Sequence, residues 1–211
     1  QTRAIPLTER LTYDFIGLEK NAAELVLNWE KKQFPVKIEF NVDDIVMANA
    51  AEELKSSKGF GWQGYTTAAT YSLQNKANLE QGLKWIDVAI VRNRSFATLN
   101  TKSDILIELG KKEEAKKIKK EALDIANEND VNTYGYQLIG SGKNDEAVEV
   151  LKLNTERFPA SANAWDSLGE ACAIKGDKPN AVKYFKKSLS LNPPEGVKAN
   201  SEKYLKQLGA L

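Results

Sequence analysis

The first forty residues alternate between apolar and polar side chains. Leu11, Tyr13 and Phe15 are separated by Thr12 and Asp14. Leu25, Leu27 and Trp29 are separated by Val26 and Asn28. Phe34, Val36, Ile38, Phe40 and Val42 are separated by Pro35, Lys37, Glu39 and Asn41. A period of two held this long predicts half-buried strands. Turns at residues 17–21 and 31–33 then give a three-strand antiparallel meander. Pro35 lies on the polar side of its strand and moves that strand toward an edge. A small sheet with one apolar face needs a cover. Either the helical remainder of the chain or a larger β-domain preceding Gln1 supplies it.

From residue 43 the period lengthens. Asp43 is placed to cap a helix running to Lys55, with Met47, Ala50, Ala51 and Leu54 on one face. Ser56-Ser57-Lys58-Gly59 breaks that helix and marks a junction. Everything beyond reads as helical hairpins. Their strongest signature is a repeat: Gly135, Gly142, Ala147, Leu151 and Pro159 stand 34 residues before Gly169, Gly176, Ala181, Phe185 and Pro193. Leu106, Gly110, Ala115 and Ala122 belong to an earlier unit, and Leu73, Gly82, Ile86 and Ala89 to one earlier still. Small residues at Ala147 and Ala181 let two helices cross closely, glycines at 142 and 176 end the first helix of a unit, and prolines at 159 and 193 follow the second. The run Ser201 to Leu208, with Tyr204, Leu205 and Leu208 on one side, reads as a terminal helix that solvates the last unit.

The spacing of Trp165, Leu168, Gly169, Gly176, Asp177, Ala181, Phe185 and Pro193 resembles the tetratricopeptide repeat (TPR). Cys172 and Ser188 depart from its commonest residues. The resemblance implies a mainly α protein: a TPR-like α-α superhelix of about four helical hairpins and a C-terminal cap helix, preceded by the small β-meander. The expected domains are a β-strand segment over 1–42, the end of a larger β-domain; a connecting helix and linker over 43–59; and a helical repeat domain over 60–211, with the cap helix at 195–209.

Composition narrows the chemistry. Thirty basic side chains against 29 acidic ones leave a net charge of +1, with no general attraction to nucleic acid. Histidine is absent, which removes Ser-His-Asp and Cys-His catalysis and His-ligated metal. One cysteine excludes an intrachain disulfide and multi-cysteine metal sites. Cys172 falls on a core position with no neighbour to acidify it. No apolar stretch is long enough to span a membrane. The basic run at 111–121 pairs its lysines with glutamates at helical spacing and reads as a solvated face. The aromatic segment Phe60-Gly-Trp62-Gln-Gly-Tyr65 either packs a sheet–helix junction or stacks against a glycan or peptide.

In the tetratricopeptide family the first helices of successive units line a groove that holds extended peptides. Carried over residue by residue, that resemblance places Asn100 and Asp104, Asn132 and Tyr136, and Asn163, Asp166 and Glu170 along the groove. Those positions carry no Lys or Arg, so a clamp for a C-terminal carboxylate is not expected. The asparagines offer donor and acceptor together to a peptide backbone, and the acidic lining favours a neutral or basic ligand. The N-terminal strands are similar to the closing strands of an uncharacterised β-domain family of exported Bacteroidetes-type bacterial proteins, over about residues 8 to 50. That similarity implies a periplasmic or envelope location, with the cytoplasm as the alternative.

The expected function is a non-enzymatic protein- or peptide-binding scaffold, with no cofactor, metal or nucleic acid. The alternatives are a glycan- or small-molecule-binding envelope protein, or the docking arm of an enzyme whose active site lies upstream. Ligand identity and oligomeric state are not readable from the sequence.

Overall fold

The computed structural model describes all residues 1–211. Two strands, β1 (Arg3–Ile16) and β2 (Ala22–Glu39), are followed by helix α1 (Val42–Glu53) and a short 3-10 turn at Ser57–Gly59. Nine further helices complete the chain: α2 (Gln63–Asn75), α3 (Leu79–Arg92), α4 (Phe96–Glu108), α5 (Lys112–Ile125), α6 (Glu128–Gly140), α7 (Asn144–Arg157), α8 (Ala162–Lys175), α9 (Lys178–Leu189) and α10 (Glu195–Gln207). The fold is mainly α and TPR-like: α2–α3, α4–α5, α6–α7 and α8–α9 are four hairpins and α10 follows as a single helix. The chain divides into two compact units, residues 1–93 with 104–112, and residues 94–103 with 113–211.

The sheet corrects the expected three-strand meander. It has two strands, because residues 31–33 remain extended inside β2. The reversal there is made at Glu30, whose backbone is left-handed with φ 50°. An unbent strand of this length would hold its ends tens of ångströms apart. Instead the Phe40 backbone amide donates to the Asn21 carbonyl at 3.0 Å, and the Gln33 side chain donates through Nε2 to Asn28 Oδ1 at 2.9 Å. Both pairs centre on Glu30 and Lys31, so β2 doubles back there without losing extended geometry. β1 follows both limbs of the doubled strand. Arg3 and Ala4 stand opposite Gln33 and Lys32, whereas residues 13–16 stand opposite 27–24. Its two register shifts, between Ala4 and Thr8 and between Thr8 and Thr12, fall where it rounds the turn.

Helix α1 begins two positions earlier than expected, with Asn41 in place of Asp43 as N-cap, accepting from the Asp44 amide. Asp43 is drawn elsewhere: Lys20 Nζ donates to one of its oxygens and the Tyr71 hydroxyl to the other, both at 2.8 Å. These contacts tie the turn before β2 to α1 and α2.

In the first unit the core is Met47, Ala68, Ala69, Trp85, Ile86, Ala89 and Ile105. In the second it is Leu151, Leu168, Ala171, Cys172, Ala181, Phe185 and Leu205. Small residues set the helix spacing. A Cβ on Gly169 would sit 2.9 Å from the Phe185 ring, and one on Gly135 would sit 2.5 Å from Leu151. The first helix of each hairpin, and α10 as well, ends on a left-handed residue: Lys76, Gly110, Gly142, Gly176 and Gly209. In every case the next amide reaches back five residues to a helix carbonyl, as from Asp177 to Cys172 at 2.8 Å, which closes the orphan carbonyls of the helix end.

Candidate functional site

Helix α8 is held at both ends. The Ser161 hydroxyl accepts from the Ala164 amide and donates to Glu128 Oε1 on α6, and Gly176 closes the other end. The helix is buried along most of its length, including the polar side chains of Asp166 and Ser167. Its neighbours are α6, α7, α9 and α10. Equivalent positions on α6, α8 and α10 recur every 34 residues, so they stand side by side on one common face.

The tyrosine at 136 donates its hydroxyl to Glu170 Oε2 at 3.0 Å, and the tyrosine at 204 donates to Glu170 Oε1 at 3.1 Å, each across a separation of 34 residues. One turn away, Asn200 Nδ2 donates to Asp166 Oδ2 at 2.7 Å, again over 34 residues, and Ser201 Oγ donates to Asp166 Oδ1. Asn200 also leans to Glu170 at 3.4 Å, and Tyr136 to Ser167 at 3.4 Å. Two carboxylates are thus held by hydroxyls and an amide, and none of these donors is cationic. Burial raises the Asp166 carboxyl above its usual range, against the pull of Ser201 and Asn200, and the nearby Glu170 charge pushes the same way as burial. Burial, then the Glu170 charge, pushes the Tyr204 phenol up to about 12; Tyr136 rises too, chiefly through burial of its hydroxyl.

The structure therefore brings together three of the expected groove residues, Tyr136, Asp166 and Glu170. Asn132 occupies the α6 position equivalent to Asp166 and is half-buried, with its Oδ1 enclosed and without a hydrogen-bond partner. Asn163 is exposed near the start of α8. Asn100, on α4 in the second unit, accepts from Lys119 Nζ of α5. That ammonium also lies 4.7 Å from the centre of the Tyr134 ring. Asp104 lies on α4 in the first unit and is half-buried. Sequence reasoning passed over Asn200, Ser201 and Tyr204, because α10 was read only as a solvating cap. Adding 34 to the expected residues finds two of them directly.

Elsewhere, the thiol of Cys172 is buried in the core and pushed up to about 11 by that burial. In the segment 60–65, Trp62 and Tyr65 pack against the core of the first unit. Arg92 covers the Tyr65 ring at 4.8 Å and donates to the carbonyls of Gly59 and Gly61. Of its aromatic residues only Phe60 is well exposed, at 84%. A groove of about 520 Å³ runs between α1 and α2, walled by Val46, Ala50, Leu54 and Ala68. No group of His, Cys, Asp and Glu is arranged to hold a metal ion, and no helix is long and apolar enough to cross a membrane.

The tetratricopeptide-repeat family model matches residues 96–129 and 162–195, the segments of α4–α5 and α8–α9. No curated protein matches the chain. Among solved structures it is similar to YrrB, described as a TPR protein with an unusual peptide-binding site, at 17% identity over 76% of this chain and 84% of that one, TM-score 0.42. It is also similar to MamA, at 17% identity over 74% and 96%, TM-score 0.39. A third is pilF of Pseudomonas aeruginosa, at 20% identity over 72% and 71%, TM-score 0.40. The hairpins at 96–129 and 162–195 are thus the segments whose sequence matches the tetratricopeptide repeat.

Proposed function

We propose that this protein is a non-catalytic interaction scaffold that binds an extended, neutral-to-basic peptide on the common face of α6, α8 and α10. The observation that carries this reading is the pair of carboxylates, Asp166 and Glu170, held on that face without a cationic partner. Glu170, half-buried and bound only by neutral donors, keeps an uncompensated negative charge on that face, with the buried Asp166 behind it. A lysine or arginine side chain supplies the missing charge, and the flanking Tyr136 and Tyr204 rings supply apolar and cation–π contact. Exposed Asn163 supports a role in holding peptide backbone. A periplasmic or envelope setting belongs to the same proposal, and cell fractionation tests it.

Fluorescence anisotropy with Lys-rich and Glu-rich peptide libraries tests the reading. Lys-rich peptides bind more tightly, and Glu170→Gln lowers their affinity roughly five- to fiftyfold, as loss of a close charge partner does. Equal binding of both libraries, unchanged by Glu170→Gln, contradicts it.

A further inference from the structure

Glu170 has little acceptor capacity left for a ligand. An ionised carboxylate offers about four lone-pair sites, roughly two on each oxygen. Oε2 of Glu170 accepts the Tyr136 hydroxyl at 3.0 Å and, more weakly, Asn200 Nδ2 at 3.4 Å. Oε1 accepts the Tyr204 hydroxyl at 3.1 Å. The remaining site therefore belongs to Oε1. Asp166 offers no substitute, because it is buried and its two oxygens already accept from Ser201 and Asn200.

That remaining site suits one kind of cation. Each phenol gives its single proton to Glu170 and keeps the lone pairs of its own oxygen. Oε1 and the adjoining Tyr204 oxygen thus stand side by side as acceptors. A lysine ammonium is a compact charge whose three donors turn freely about one bond. Oε1 serves one donor, the Tyr204 oxygen a second, and water the third. An arginine guanidinium is a flat fork, and its strong mode places two parallel bonds on the two oxygens of one carboxylate. With Tyr136 and Asn200 on Oε2, one prong of that fork has nowhere to bind. Arginine is left with an end-on bond to Oε1 alone. Tyr136 is 37% exposed and Glu170 half-buried, so a side chain reaches the pair from solvent.

On the peptide-binding reading above, we infer that the face of α6, α8 and α10 selects lysine over arginine, and that the Tyr136 hydroxyl sets this selection by occupying Oε2 of Glu170. Tyr136 is then a specificity-determining residue, supplied by the helix one repeat before the carboxylate it guards. Its phase in the repeat places it there: Tyr136 and Glu170 are 34 residues apart, as are Glu170 and Tyr204.

Fluorescence anisotropy with two dye-labelled Gly-Ser peptides tests the inference, one carrying lysine and the other arginine at the same places. The unaltered chain binds the lysine peptide roughly fivefold more tightly, the worth of about one hydrogen bond. Tyr136→Phe keeps the ring and frees a site on Oε2. The arginine peptide then binds more tightly, and the ratio falls to one or below. Equal affinities in the unaltered chain, or tighter binding of the arginine peptide, overturn the selection without recourse to any variant. If Glu170→Gln still weakens both peptides in that case, the scaffold reading stands and only the selection falls. An unchanged ratio in Tyr136→Phe, with a cooperative thermal melt showing that the variant is folded, overturns the role of Tyr136. Binding of neither peptide overturns the inference together with the reading it rests on.

Discussion

Single residues decide how closely the helices approach. Gly169 faces the Phe185 ring with no room for a methyl group, whereas Gly140, also helical, has open space around its missing Cβ. Gly169→Ala is expected to cost about 1–3 kcal/mol, through displacement of the ring. Gly140→Ala should be neutral or stabilising by up to about 1 kcal/mol, because it only reduces the freedom of the unfolded chain. Thermal melts of the two variants check the contrast. A second residue-scale expectation concerns Tyr204, whose phenol is raised to about 12. A raised pKa means that the neutral form is favoured in the folded state. Its contribution to stability is complete below the unfolded value near 10 and is lost as pH rises through the folded one. Tyr204→Phe should therefore flatten the loss of stability between about pH 10 and 12, measured by urea unfolding across that range.

At the scale of elements, Arg157 shows how one hairpin holds the next. From the end of α7 its guanidinium donates to the carbonyls of Leu123 and Ala126 at the end of α5, at 2.5 and 2.6 Å. Arg157→Met keeps most of the stem and removes these bonds, with an expected cost of about 1–3 kcal/mol. Denaturant midpoints at unchanged slope check it. Periodicity announced the helices and their order because small residues and left-handed ends recur at fixed intervals. Ala181, for example, marks a true crossing and is fully buried, whereas Ala199 is exposed. Ala181→Leu should accordingly lower the melting temperature much more than Ala199→Leu. The sheet was legible as alternation and, within a residue or two, in where the chain reverses; that β2 stays extended through the reversal was not legible. A left-handed glutamate at position 30 makes a reversal that no Gly, Asn or Asp advertises. The role of Asp43 escaped for a related reason: its partners Lys20 and Tyr71 are distant in sequence, so local capping rules assigned it to the wrong task.

For the whole molecule, the informative feature is the meeting of equivalent positions from successive repeats. Tyr136, Glu170 and Tyr204 are unremarkable when each is read on its own helix. Their identical phase in the repeat makes them neighbours and leaves two carboxylates without a cation on one face. Asn100 does not extend this set: it is engaged by Lys119, a cation from a second helix that a reading of first helices alone does not include.

The most direct test is chemical-shift mapping by NMR with a Lys-rich peptide titrated into the isotopically labelled chain. The largest shifts should fall on Tyr136, Asp166, Glu170, Asn200 and Tyr204, and Glu170→Gln should shrink them. Shifts concentrated on the outward faces of α7 and α9, or none at millimolar peptide, would contradict the account.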